Sequence, residues 1–265
     1  MKPAHQAAGF AGKSNSRYVL RGLTMYEVHQ AEPSQAFKSA WNAAGRHIQR
    51  QAGDRLNWLR ADLNPPMAEH LSFRMGNQIF FIYLEAAEFQ FKREGSLFLR
   101  VAHAANAVPC ILTMNEQFSM WQPQYAGWGL VHAETDEPIV PPTLISDQLV
   151  EMTDWELHDF CVQVVCNYLK QQNKEVFAKQ SSPEIDPSIW FRDQNGTHFV
   201  VARATRYPES EAGMPSNVSD IKRSCAAMSQ SGFYASVSVA NADELSSPLY
   251  RGHGMHVRFT GLVDL

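Results

Sequence analysis

The chain has 265 residues, 45% of them apolar and 11% aromatic, with a formal charge of −4. These proportions exclude a wholly disordered chain, and no run approaches the ~20 apolar residues of a membrane-spanning helix. Residues 1–145 carry 13 basic and 12 acidic side chains and residues 146–265 carry 10 and 15, so a nucleic-acid role requires a local basic patch rather than overall charge.

Residues 1–22, opening MKPAHQAAGFAGKSNSR, lack the ~7–15-residue apolar core of a secretory signal and read as a flexible tail. A first folded unit is expected over 23–135. Phe37, Trp41, Ala44 and Ile48 recur at helical spacing. SFRMGNQIFFIYL (72–84) reads as two strands turning at Gly76-Asn77, Leu97, Val101 and Ala104 mark a second helix, and ANAVPCILTMN (105–115) feeds a further strand. The acids and three prolines of AETDEPIVPPTLISDQ (133–148) resist regular structure, so 136–150 is expected to be a linker.

The second unit, 151–265, begins on a capping box, Thr153 with Glu156. Leu157, Phe160, Cys161, Val164, Val165, Tyr168 and Leu169 then form the apolar stripe of an amphipathic helix. EVFAKQ (175–180), PSIWFRD and THFVVARATRY read as three strands, the last two joined at Asn195-Gly196. Val218, Ile221, Cys225 and Met228 mark a helix, and FYASVSVAN alternates as a strand does.

The two halves match each other in order. SFRMGNQIFFIYL parallels WFRDQNGTHFVVARA, ANAVPCILTMN parallels SQSGFYASVSVAN, and YAGWGL (125–130) parallels YRGHGM (250–255), with YPESEAGMPSN (207–217) as the insertion. Ordered self-similarity at a long period points to duplication. The expected fold is therefore mixed α/β (α+β): two tandem αβββαβ(β) units, each a mixed sheet flanked by helices. The paired glycines precede an apolar strand rather than a helix N-terminus, so they read as a shared bend where the units meet, not as a phosphate loop.

The αβββαβ order, with IDPSIWF followed by VVARATRY, resembles the restriction-endonuclease-like PD-(D/E)xK superfamily over about residues 154–241 and more faintly over 35–115. The resemblance implies Mg²⁺ held by an Asp and by an acid two residues before a Lys, with a Glu on the first helix assisting. Asp186 and Glu156 match two of these places, but Arg203 and Thr205 stand where the second acid and the Lys belong. In the first unit YLEAAEF offers Glu85, with Ala87 at the Lys position and Glu69 near the counterpart of Asp186. Glu69 with Glu85 remains a candidate metal pair, since a hard cation wants grouped carboxylates.

Other candidates are weaker in chemistry. His253 and His256 lie three apart on a strand and point to opposite faces. His158 and Asp159 are expected on an exposed helix face. Arg74, Trp190, Arg192, Arg203 and Arg206 combine cations with an aromatic, a composition suited to recognition. The four cysteines lack CxxC spacing and sit in apolar stretches, which suits a reduced, cytoplasmic setting.

The sequence thus predicts a non-catalytic binding or regulatory protein on a duplicated nuclease-like fold. It needs no cofactor and takes a protein or nucleic-acid partner and no membrane; the duplicated unit either replaces a homodimer or builds a larger assembly. The alternative is a Mg²⁺-dependent nuclease using Glu156 and Asp186, or Glu69 and Glu85, with unusual replacements for the Lys. A bacterial secretion chaperone, whose α-βββ-α-ββ layout is nearly the same, is the third reading.

Overall fold

The computed structural model describes residues 17–20, 23–26, 33–61, 63 and 70–265. Strands β1 (Arg17–Leu20) and β2 (Leu23–Tyr26) pair antiparallel in a unit of their own, Met1–Glu32, while Pro33–Leu265 forms a second unit. The pairing joins residues on either side of the 22/23 boundary expected from the sequence.

In Pro33–Leu265 one pattern is written twice. Helix α1 (Gln35–Ala52) is followed by β3 (Asn57–Arg60), β4 (His70–Met75) and β5 (Gln78–Glu85), then α2 (Leu97–Ala104) and β6 (Val108–Gln117). β7 (Met120–Pro123) folds back on the end of β6, and β8 (Leu130–His132) and β9 (Pro138–Ile139) complete a seven-stranded sheet of order β3-β4-β5-β6-β8-β9, with β7 on β6.

The second copy runs α3 (Asp154–Gln171), β10 (Glu175–Lys179), β11 (Ile189–Asp193), β12 (Gly196–Arg206), α4 (Val218–Cys225), β13 (Gly232–Asn241) and β14 (Met255–Asp264), with sheet order β10-β11-β12-β13-β14. In each sheet a single pair is parallel, β5 with β6 and β12 with β13. Each parallel pair is bridged by the short helix, because parallel neighbours need a crossover. The fold is the expected pair of mixed sheets flanked by helices.

The sandwich follows from strand alternation. Phe80, Ile82 and Leu84 of β5 face α1, while Ile79 and Phe81 face α2. Likewise Val200 and Ala202 of β12 join the core under α3, and Phe199 and Val201 the one under α4. Successive side chains on a strand point to opposite faces, so two apolar sets one residue out of step require cover on both sides.

Several local expectations shift. The second hairpin turns at Gln194 and Asn195, between the paired Asp193 and Gly196, one residue earlier than predicted, because the Asp193 carboxylate accepts Asn195 N–H at 2.7 Å. Helix α4 ends at Cys225 and leaves Met228 exposed, and Leu97 is exposed at the start of α2, where Phe98 and Leu99 are buried instead.

The expected linker is tied down. Asn77 Nδ2 donates to Ser146 Oγ at 3.1 Å and to the Gln148 carbonyl at 2.8 Å, and Asn77 Oδ1 accepts from Ser146 N–H at 3.2 Å. Among the described residues no helix is long and apolar enough to cross a membrane.

Candidate functional site

Two of the acids singled out for chemistry, Glu156 and Asp186, are committed to arginines. Glu156 completes the predicted capping box: its Oε2 accepts Thr153 N–H at 2.9 Å, and its own N–H donates to Thr153 Oγ1 at 3.3 Å. Both of its oxygens also accept from Arg251, Nε to Oε1 at 2.9 Å and Nη2 to Oε2 at 2.8 Å. Arg251 is the second residue of YRGHGM, and its Nη2 donates further to the carbonyls of Ala105 and Asn106 in the first copy, at 2.6 and 3.0 Å. The Arg251 side chain is 1% exposed and that of Glu156 is 7% exposed.

Asp186, ahead of β11, accepts Arg203 Nη1 at 2.9 Å and Nη2 at 2.5 Å. The pair is forked and charge-assisted, so the Asp186 carboxylate is committed to Arg203. Beside it a cavity of about 380 Å³ is lined by His158, Arg203 and Arg206 among others. Arg206 is likewise occupied, donating to Asp154 Oδ1 at 2.6 Å and to the Met152 carbonyl at 2.9 Å. Glu156 and Asp186 are therefore held by different arginines, and the pair does not fit a Mg²⁺ ion.

His158 and Asp159 are not on an exposed face; they are 3% and 5% exposed. The start of α3 is covered from both sides, since Trp155 joins the core around α2 and stacks edge-on with Phe81 at 5.1 Å. Burial, followed by the charge of Arg203, lowers the His158 pKa to about 4, so the imidazole is neutral near pH 7. Asp159 Oδ1 accepts Arg60 Nη2 from β3 at 2.9 Å and also the Ser181 hydroxyl.

In the first copy Glu85 spends both oxygens on its own neighbourhood, accepting Phe91 N–H at 2.9 Å and Thr113 Oγ1 at 2.8 Å. Glu69 lies outside the described residues. Among the described residues no three His, Cys, Asp or Glu side chains gather in a metal-holding group. All four cysteines are free and buried, and burial pushes the Cys161, Cys166 and Cys225 thiols up to about 12, 11 and 12.

The arginine and aromatic candidates are scattered. Arg74 lies in β4, and a Cβ built on Gly252 would stand 3.9 Å from its Nη1. Trp190 packs on Phe199 at 5.7 Å. Arg192 lies over Phe177 at 5.1 Å, not over Trp190, with Glu175 at 4.0 Å.

Two arrangements escaped the sequence reading. In one, His198 Nε2 donates to Asp193 Oδ1 at 2.9 Å, while its Nδ1 meets Ser231 Oγ at 2.9 Å. These are the residue types of a nucleophilic triad, but Asp193 is shared with the Lys174 ammonium and the imidazole is stacked on Phe191 at 5.0 Å. Lys174 first, then His198, holds the Asp193 carboxyl well below the usual range. The chain of bonds fastens the β11–β12 hairpin to the start of β13.

The other is a groove of about 780 Å³ between the outer side of α1 and the β6–β7 hairpin, lined by Arg46, Arg50, Trp121, Gln122 and Tyr125 among others. α1 is capped by Ser34, whose Oγ accepts Phe37 N–H at 3.1 Å, and it buries Phe37, Trp41, Ala44 and Ile48. Its sequence, QAFKSAWNAAGRHIQRQA, holds no Asp or Glu. The opposite wall turns at Phe118 and Ser119, both at positive φ (50° and 61°), as a tight two-residue hairpin requires.

Gly129, at φ 69°, brings YAGWGL against that wall; a Cβ there would stand 2.9 Å from Pro123 Cβ. Between the walls His47 is buried, donates from Nε2 to the Trp128 carbonyl at 3.1 Å, and has its pKa lowered chiefly by burial. The shared phrase therefore marks a bend in each copy, and the second instance, through Arg251, contacts the first copy.

No curated protein and no solved structure matches the chain. One family model matches, over residues 155–265: this stretch, the second copy from the first turn of α3 onward, is similar to the family described as a domain of unknown function (DUF8840).

Proposed function

We propose that the chain is a non-catalytic binding or regulatory protein, built on a duplicated nuclease-like unit, that recognises a protein or nucleic-acid partner. The observation that carries this reading is the fate of the two carboxylates at the catalytic positions. Glu156 and Asp186 each face a forked guanidinium, Arg251 and Arg203. A carboxylate so paired has little lone-pair capacity left for a hard cation, and a guanidinium stays charged at any working pH. The free, buried cysteines support a reducing, cytoplasmic setting.

Incubation of the full chain with Mg²⁺ or Mn²⁺ and plasmid, single-stranded DNA or RNA tests the proposal. The expected result is intact nucleic acid. Cleavage that disappears in Asp186→Ala would overturn it in favour of the metal-dependent nuclease.

A further inference from the structure

We infer that the groove between α1 and the β6–β7 hairpin binds single-stranded nucleic acid, an inference that rests on the non-catalytic binding reading and gives it a partner. The sequence set a condition for such a partner in a chain of net charge −4, a local basic patch, and the groove meets it. Arg46 and Arg50 are exposed, line the cavity, and have no ion-pair partner among the described residues, unlike Arg203, Arg206 and Arg251. Among the described residues no carboxylate lines the groove.

Geometry favours a phosphate strand. Arg46 and Arg50 are four residues apart on one helix, so they stand about one turn, ~6 Å, apart on the same side. Two cations on one line can follow two successive phosphates, and their planar forks suit phosphate oxygens better than point charges would.

The facing wall adds what an acidic peptide could not use. Tyr125 is 49% exposed and Trp121 half-buried, both at the groove. Aromatic rings opposite a cationic track are the platform on which unpaired bases stack, and stacking tolerates any sequence. The side-chain amides of Asn42, Gln51 and Gln122 supply donors and acceptors for base edges. At about 780 Å³ the groove lies in the ~300–1,000 Å³ range of sites that hold compact ligands. A duplex would present its bases already stacked, so the aromatic wall selects single strands.

The test is a fluorescence-anisotropy titration of the full chain against labelled oligo-dT and oligo-U of about 12 nucleotides, in EDTA and at several salt concentrations. Both oligonucleotides should bind at low salt. R46Q/R50Q should weaken binding by tenfold or more and reduce the slope of log K against log salt by about 1.4, at ~0.7 per phosphate contact on a single strand. Y125A should weaken binding by about tenfold and leave that slope unchanged.

Because all three side chains are exposed, an unchanged melting temperature shows that the variants fold. Absence of binding, or binding indifferent to R46Q/R50Q, overturns the inference. Displacement by polyglutamate as readily as by unlabelled oligonucleotide also overturns it, in favour of an acidic peptide. Adding Mg²⁺ afterwards and checking oligonucleotide length separates the two readings: shortening defeats the non-catalytic proposal, while the EDTA titration still judges the groove.

Discussion

Helices α1 and α3 open the two copies, each with 18 residues, yet they place their charged side chains differently. α1 buries an apolar stripe and turns Arg46 and Arg50 to solvent, whereas α3 buries Glu156, His158 and Asp159 within its first two turns. The Tyr-x-Gly-x-Gly phrase repeats the contrast. In the first copy its second residue is Ala126, beside an open groove; in the second it is Arg251, sealed between the copies. The second phrase thus takes part in the joint between the copies, while the first lines a groove.

The largest expected effect attacks the joint. Arg251→Ala should cost about 3–5 kcal/mol in urea unfolding, because it strands a buried carboxylate. Adding Glu156→Gln should recover part of that loss; if it recovers none, the pair is not what the joint depends on.

Next comes pH. Unfolding takes His158 from a pKa of about 4 back to its ordinary 6.5, so the unfolded chain binds the proton first as pH falls. Stability present above pH ~6.5 should then drop by about 3 kcal/mol on approach to pH 4, and His158→Gln should flatten that part of the pH profile.

On the groove side, Gly129→Ala should cost about 1–3 kcal/mol in thermal unfolding, from positive φ plus the collision with Pro123. Gly127→Ala meets open space and should cost only the ~1 kcal/mol of its φ. The smallest effect sharpens the contrast: Ala126→Arg copies the residue of the second phrase onto an exposed site and should shift stability by less than about 0.5 kcal/mol.

What the sequence made legible was local or periodic. The stripe from Leu157 to Leu169 and the Thr153/Glu156 box are interactions within a few turns, and the Gly76-Asn77 turn lies between two apolar runs. The ordered self-similarity foretold the repeated topology because each unit closes its own sheet. What stayed hidden depends on the other copy. Nothing near His158 or Asp159 says that Phe81 and Arg60 of the first copy pack on that end of the helix, and Arg251 donates to carbonyls 146 and 145 positions away. The groove was missed for another reason: exposed arginines on a helix read as an ordinary solvated face until a hairpin is seen opposite them, and that hairpin turns on Phe118-Ser119 without a glycine.

Arg60 and Arg251 cross the junction in opposite directions, the first donating to Asp159 of the second copy and the second to backbone oxygens of the first. A fragment trimmed to 155–265 would keep Arg251 and Glu156 but discard Thr153, Ala105 and Asn106, leaving a guanidinium without its carbonyl acceptors and a helix without its cap. The interactions that cap α3 and seat Arg251 are therefore built from both copies and the segment between them.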